Sequence, residues 1–248
     1  MPGIGGILFD KDGTLLDYNA TWVPANRAVA RLVAGGDEAL AGTLLKIGGQ
    51  DEAAGIVKPG TVLAAAGIDE IAATWAAVVP DHGIEDLAQV MDAEFQRVAL
   101  TSSVMVDGLA NVLAVLKGRG LKLGIATNDS AAGVEASMAR FGVLDHFDFL
   151  AGYDSGYGAK PGPGMVKGFC AQTGLNAGQV MVVGDNVHDL DMGRSAGAGY
   201  VIGVLTGTGG REHLAPLADR VIDSIRDLPA VIDEIASGED DRAPQELV

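Results

Sequence analysis

Beyond residue 106 the chain repeats one pattern: a short apolar run, a polar turn, then a stretch with helically spaced apolar residues. Strand-like runs fall at 122–126, 147–150, 180–183, 200–204 and 220–222. Helical spacing covers 108–117, 131–141, 163–173, 188–196 and 228–235. Consecutive strands separated by helices pair in parallel through right-handed crossovers. An earlier apolar run at 6–10 joins the same set. The pattern predicts an α/β fold, a doubly wound and mostly parallel sheet of Rossmann-like type.

Residues 21–100 break the alternation. Helices are expected over 22–33, 38–47, 62–66, 70–78 and 84–99, with Gly35-Gly36 and Gly48-Gly49 as stops and no strand among them. The block reads as a helical insertion placed directly after the first strand. The expected domains are a core of residues 1–17 and 105–248 and an α-helical cap of residues 18–104. A frayed acidic tail is expected over 238–248.

Composition narrows the chemistry. The hydrophobic fraction of 48% belongs to a folded chain, and 5% aromatics leave the core to Ala, Val, Leu and Ile. A net charge of −16 argues against nucleic acid as a partner, because phosphate backbones are met by Lys and Arg. It leaves room for a small anionic ligand, since a bound divalent cation reverses the local sign. Cys170 is the single cysteine and reads as a small buried hydrophobe. With no intrachain disulfide possible, a reducing compartment is expected. The N-terminus lacks a basic n-region, and no apolar run approaches a membrane span. The expected location is the cytoplasm, with no membrane partner.

Open α/β sheets bind ligands beyond the C-terminal ends of their strands. Four such ends carry polar residues here: Asp10 and Asp12, Thr127 and Asn128, Lys160, and Asp185 with Asp189. Asp10 and Asp12 lie two residues apart and share a face if the strand continues straight. Each also has a plainer reading. Asp12-Gly13 suits a turn, Asp185 and Asp189 suit helix caps, Thr127 suits a loop-capping role, and Lys160 suits a solvated loop.

Taken in order, the motifs are Asp10-Lys11-Asp12-Gly13-Thr14, Thr127 after an apolar strand, Lys160-Pro161, and Gly184-Asp185-Asn186-Val187-His188-Asp189. In this order the chain resembles the haloacid dehalogenase superfamily, specifically its phosphatases. The turn Thr206-Gly207-Thr208-Gly209 is similar to the phosphoglycolate phosphatase branch. The resemblance implies a Mg²⁺-dependent phosphomonoester hydrolase acting on a small phosphorylated metabolite. Asp10 would be the nucleophile that forms an aspartyl-phosphate, and Asp12 the general acid and then base. Thr127, Asn128 and Lys160 would bind and neutralise the phosphoryl group. Mg²⁺ would take the Asp10 and Asp185 carboxylates and the Asp12 carbonyl, with Asp189 behind them.

The resemblance makes the insertion a cap that selects substrate. Candidate contacts are Tyr18, Asn19, Trp22 and the Gly48-Gly49-Gln50 turn, although Trp22 reads first as core. Lys58 is a candidate for a substrate carboxylate. His188 is expected near the site as a donor behind it, and His82, His146 and His213 as surface or capping residues. Three departures stand out. Lys11 replaces an apolar residue and is expected to point away from the carboxylate face, or to pair with a cap or loop acid. Gly164 stands where relatives carry an acid, which weakens support for the orientation of Lys160. Val106-Asp107-Gly108 lacks a usual Pro. A sugar-phosphate phosphomutase is the alternative enzyme, and a non-enzymatic binding protein the alternative from another class. A dehalogenase has no use for Asp12 or Asp185. The oligomeric state stays open between monomer and homodimer.

Overall fold

A computed structural model describes residues 3–238. The tail expected from 238 onward therefore lies, from residue 239, outside the described residues. The chain divides into two compact units, Met1–Leu15 with Met105–Val248 and the inserted Leu16–Val104. The first boundary falls two residues before the one expected from sequence.

Strand β1 (Gly6–Phe9) opens the sheet unit, and the inserted unit follows it. Its helices are α1 (Tyr18–Val33) and α2 (Glu38–Gly48), then α3 (Val62–Ala65), α4 (Ile68–Ala76) and α5 (Leu87–Ser102). Asp17 starts α1 by accepting from the Ala20 N–H at 2.9 Å, four residues before the helix expected from periodicity. Asp37 caps α2 in the same way. Gly49 ends α2 at φ 99°, and a Cβ there would lie 2.2 Å from the Thr61 side chain. Only glycine fits that turn. Between α2 and α3 the structure corrects the expectation of an all-helical insert. Strands β2 (Gln50–Asp51) and β3 (Ile56–Val57) pair antiparallel. Two residues per strand are too few to leave a period in the sequence. The core of this unit closes on Val29, Ala30, Leu44, Trp75 and Met91, all fully buried. Phe95 lies against both Trp22 and Trp75.

The sheet unit resumes with α6 (Leu109–Gly118), β4 (Lys122–Ala126), α7 (Ala131–Arg140) and β5 (Phe149–Ala151). Next come α8 (Gly164–Thr173), β6 (Val180–Gly184), α9 (Val187–Ala196) and β7 (Tyr200–Val204). The last elements are α10 (Arg211–Leu214), β8 (Arg220–Ile222) and α11 (Leu228–Ser237). All five pairings are parallel, in the order β5-β4-β1-β6-β7-β8. The α/β expectation holds. Ile7, Leu8 and Phe9 are all fully buried although neighbours on a strand face opposite ways, so both sheet faces are covered. On one face Leu8, Phe169, Val182 and Met192 share a cluster with residues of α8. The four-residue α10, just after the Gly-rich turn, was not foreseen. No described helix is long and apolar enough to cross a membrane.

Candidate active site

Strand β1 is central, so its C-terminal end lies between those of β4 and β6. Asp10 extends the ladder by one bond, donating its N–H to the Val183 carbonyl at 2.8 Å. The chain then turns out of the sheet, with Gly13 at φ 88°. Asp10 is buried, and its Oδ1 accepts from Lys160 Nζ at 2.6 Å. Lys160 Nζ also donates to Asp189 Oδ1 at 2.6 Å. The second oxygen of Asp189 accepts from the Asn186 N–H at 3.0 Å, which completes the cap of α9. Both oxygens of Asp189 are therefore engaged. Asp10 Oδ2 is buried and has no hydrogen-bond partner.

Asp185 follows β6. Its Oδ2 accepts from the Thr208 N–H at 2.7 Å and from Thr208 Oγ1 at 3.3 Å. A Cβ on Gly207 would lie 1.9 Å from that oxygen, so the turn approaches because Gly207 has no side chain. Thr206 Oγ1 donates to the Gly13 carbonyl at 2.6 Å and ties this turn to the one after β1. The sequence singled out the turn but not its grip on Asp185. The alternation of Thr and Gly was the available signal.

One oxygen from each of Asp10, Asp185 and Asp189 lies within 4.8 Å of the others. Burial pushes the Asp10 carboxyl up to about 6, with Lys160 opposing and Asp189 adding to the rise. Burial, then Asp10 and Asp189, hold Asp185 well above the usual carboxylate range. Burial alone would lower Lys160, but Asp10 and Asp189 outweigh it and hold the ammonium above its ordinary value. Among the described residues a single ammonium, that of Lys160, thus faces three buried carboxylates. The surplus negative charge, the orphaned Asp10 Oδ2 and the all-oxygen donor set fit a hard divalent cation.

Lys11 departs from the first of its two expected places and meets the second. Its Nζ meets Asp12 at 2.9 Å and 3.1 Å through both carboxylate oxygens, and Asp129 Oδ2 at 2.9 Å. Strand alternation placed Lys11 away from the carboxylates, but β1 ends at Phe9 and the period of two ends with it. The loop acid is there as well, and it is Asp129. Burial raises the Asp12 carboxyl, with Lys11 opposing.

Thr127 is buried, and its Oγ1 accepts from the Asp129 N–H at 3.2 Å, leaving its own proton to donate. Asn128 Oδ1 accepts from the Lys160 N–H at 2.9 Å, so the carboxamide fixes the Lys160 loop. Gly164 is explained by packing, since a Cβ there would lie 1.8 Å from the Tyr157 carbonyl oxygen. Lys160 is oriented by Asp10 and Asp189 instead.

The remaining candidates are engaged in local contacts. Inside the inserted unit, Tyr18 donates its hydroxyl to the Leu63 carbonyl at 2.6 Å, and Asn19 Oδ1 accepts from the Val57 N–H at 3.0 Å. Trp22 packs against the core of that unit, and Lys58 lies 3.4 Å from Asp51. His188 contributes its main-chain N–H to the Asn186 cap. His82 Nδ1 accepts from the Ile84 N–H, and His213 is exposed beside Glu212. Burial pushes the Cys170 thiol up, away from the reactive thiolate.

The haloacid dehalogenase-like hydrolase family matches residues 4–197. The chain belongs to this family. Among curated relatives, an N-acetylmuramic acid 6-phosphate phosphatase from Pseudomonas aeruginosa is 26% identical over 92% of this chain and 94% of its own length. A phosphoglycolate phosphatase from Pectobacterium atrosepticum is 25% identical over 79% of each chain. Among solved structures, a predicted phosphoglycolate phosphatase from Haemophilus somnus matches with a TM-score of 0.72 at 22% identity. It covers 93% of this chain and 99% of that one, and it supports the haloacid dehalogenase fold.

Proposed function

We propose that the protein is a Mg²⁺-dependent phosphomonoester hydrolase working through an aspartyl-phosphate on Asp10. The observation that carries this reading is the buried Asp10, with one oxygen on Lys160, the other unpartnered, and Asp185 and Asp189 grouped with it within 4.8 Å. Asp10 would attack phosphorus while the ester P–O bond breaks, and Asp12 would give the leaving oxygen its proton. The raised Asp12 carboxyl suits that first step. Asp12 would then take a proton from water, which attacks the acyl phosphate and frees Asp10 with release of phosphate. Thr127 Oγ1, the Asn128 N–H and Lys160 Nζ would hold the phosphoryl oxygens. Mg²⁺ would be held by Asp10 and Asp185 with the Asp12 carbonyl, and it would neutralise phosphoryl charge. Asp189, with both oxygens engaged, would orient Lys160 and stand behind the metal.

The inserted unit follows Asp12 directly in the chain, and we assign it the role of cap and substrate selector. The two relatives are named for phosphate esters of carboxylic acids, glycolic and N-acetylmuramic acid. A small phosphate ester bearing a carboxylate is accordingly the preferred class, with phosphoglycolate the first candidate. The single cysteine supports a reducing compartment such as the cytoplasm.

The test is a phosphate-release screen over small metabolite esters, with Mg²⁺ and with chelator. Release that stops on chelation is the expected result. No release from a broad panel sinks the reading. Isomerisation of a sugar phosphate without net release moves the assignment to a phosphomutase.

A further inference from the structure

We propose that Lys11 and Asp129 form a positioning pair that fixes the Asp12 carboxyl for proton transfer. The proposal rests on the phosphatase reading and adds residues to it. Lys11 is among the largest fully buried side chains of the molecule, and its ammonium lies between two carboxylates. On one side it meets both oxygens of Asp12, so the carboxyl plane is held against rotation about Cβ–Cγ. On the other it meets Asp129 Oδ2, and Asp129 is itself fixed. Its Oδ1 accepts from the Ser130 N–H at 2.7 Å, its N–H donates to Thr127 Oγ1, and its carbonyl accepts from the Tyr153 N–H at 3.0 Å. A Cβ on Gly133 would come within 2.8 Å of Asp129 Oδ2, so the first turn of α7 leaves room for this carboxylate.

The consequence is a mechanical link between two strand ends. The loop after β4, which carries Thr127 and Asn128, is joined through Asp129 and Lys11 to the carboxyl of Asp12. An apolar residue at position 11 would leave Asp12 to choose its own rotamer. A proton donor must lie within hydrogen-bond reach of the atom it serves, and a small displacement is costly. Lys11 is therefore a positioning residue acting through Asp12.

The experiment compares two esters in the wild-type enzyme and in Lys11→Met, Lys11→Arg and Asp129→Asn. One is p-nitrophenyl phosphate, whose leaving group departs as a stable anion. The other is the fastest alkyl phosphate of the screen, whose leaving oxygen needs a proton. The readout is kcat/KM, which reports steps up to transfer onto Asp10 and excludes later hydrolysis. Lys11→Met is expected to cut the alkyl-to-aryl ratio of kcat/KM by about ten- to a hundredfold. Asp129→Asn should shift the ratio less, in the same direction, and Lys11→Arg should restore part of it. Circular dichroism and Mg²⁺ titration report the fold and the metal site. Should Lys11→Met fail to fold, Asp129→Asn and Lys11→Arg carry the comparison. Equal losses on both esters, or no loss, overturn the positioning role while the phosphatase reading stands. A wild-type protein that releases phosphate from neither ester removes both.

Discussion

Asp10 has an oxygen on an ammonium and an oxygen with no partner, and the two halves of one side chain set different expectations. Asp10→Asn keeps the shape and removes the nucleophilic charge. Phosphate release should fall to background while the melting temperature stays level or rises, because a buried like-charge contact with Asp185 and Asp189 is relieved. Near-normal turnover in this variant would take Asp10 out of the nucleophile's role. Asp148 sets a different expectation. Burial acts to raise it, but bonds from Lys117, the Leu123 N–H and Lys122 win and bring it from the ordinary 3.8 to about 2. A depressed carboxyl stabilises fully above its unfolded value and loses that contribution as the pH falls through the folded one. Asp148→Asn should cost about 1–2 kcal/mol at neutral pH and flatten the loss of stability between about pH 4 and 2, read from urea midpoints. At this scale the sequence displayed Asp10, Asp12 and Asp185, because a carboxylate at a strand end is conspicuous by type and place. It offered a loop acid as a partner for Lys11 without naming Asp129, and it hid the contact with Asp12, because the rule of alternating faces stops where β1 stops.

The elements around the acids are held apart by what glycine leaves out. Gly207→Ala would drive a methyl group into Asp185 Oδ2. Isothermal titration should show Mg²⁺ affinity reduced by about ten- to a hundredfold, the usual range when a ligand's support is disturbed. An unchanged affinity would mean that the 206–210 turn gives way freely and does not hold Asp185. Most strands and crossover helices were legible, since an apolar run, a polar turn and helical spacing follow one another in the sequence. The β2 and β3 hairpin and α10 were not. They are two to four residues long and owe their form to neighbours more than to local pattern. The start of α4, whose N-cap Gly67 offers no side chain, was missed by two residues, and that of α1 by four although Asp17 caps it.

At the level of the molecule, the two units carry separate apolar clusters. Trp75 is fully buried in the cluster of the inserted unit. Trp75→Ala should destabilise that unit by about 3–5 kcal/mol. Hydrogen exchange should rise across α1, α4 and α5 before it rises in β1, β4 and β6. Uniform loss of protection along the chain would show that the units unfold as one. The sequence indicated the insertion through a break in alternation, while the boundary at Leu16 lies within a single apolar pair and leaves no mark. Finally, β1 is made first and lies in the middle of the sheet. Its edges are covered only by residues 122–126 and 180–184. During translation the ribosome must therefore deliver the whole inserted unit and the chain as far as β6 before Ile7, Leu8 and Phe9 have both neighbours. An apolar strand with open edges invites pairing with other chains. The strand that carries the nucleophile is the one that a growing chain must shelter longest.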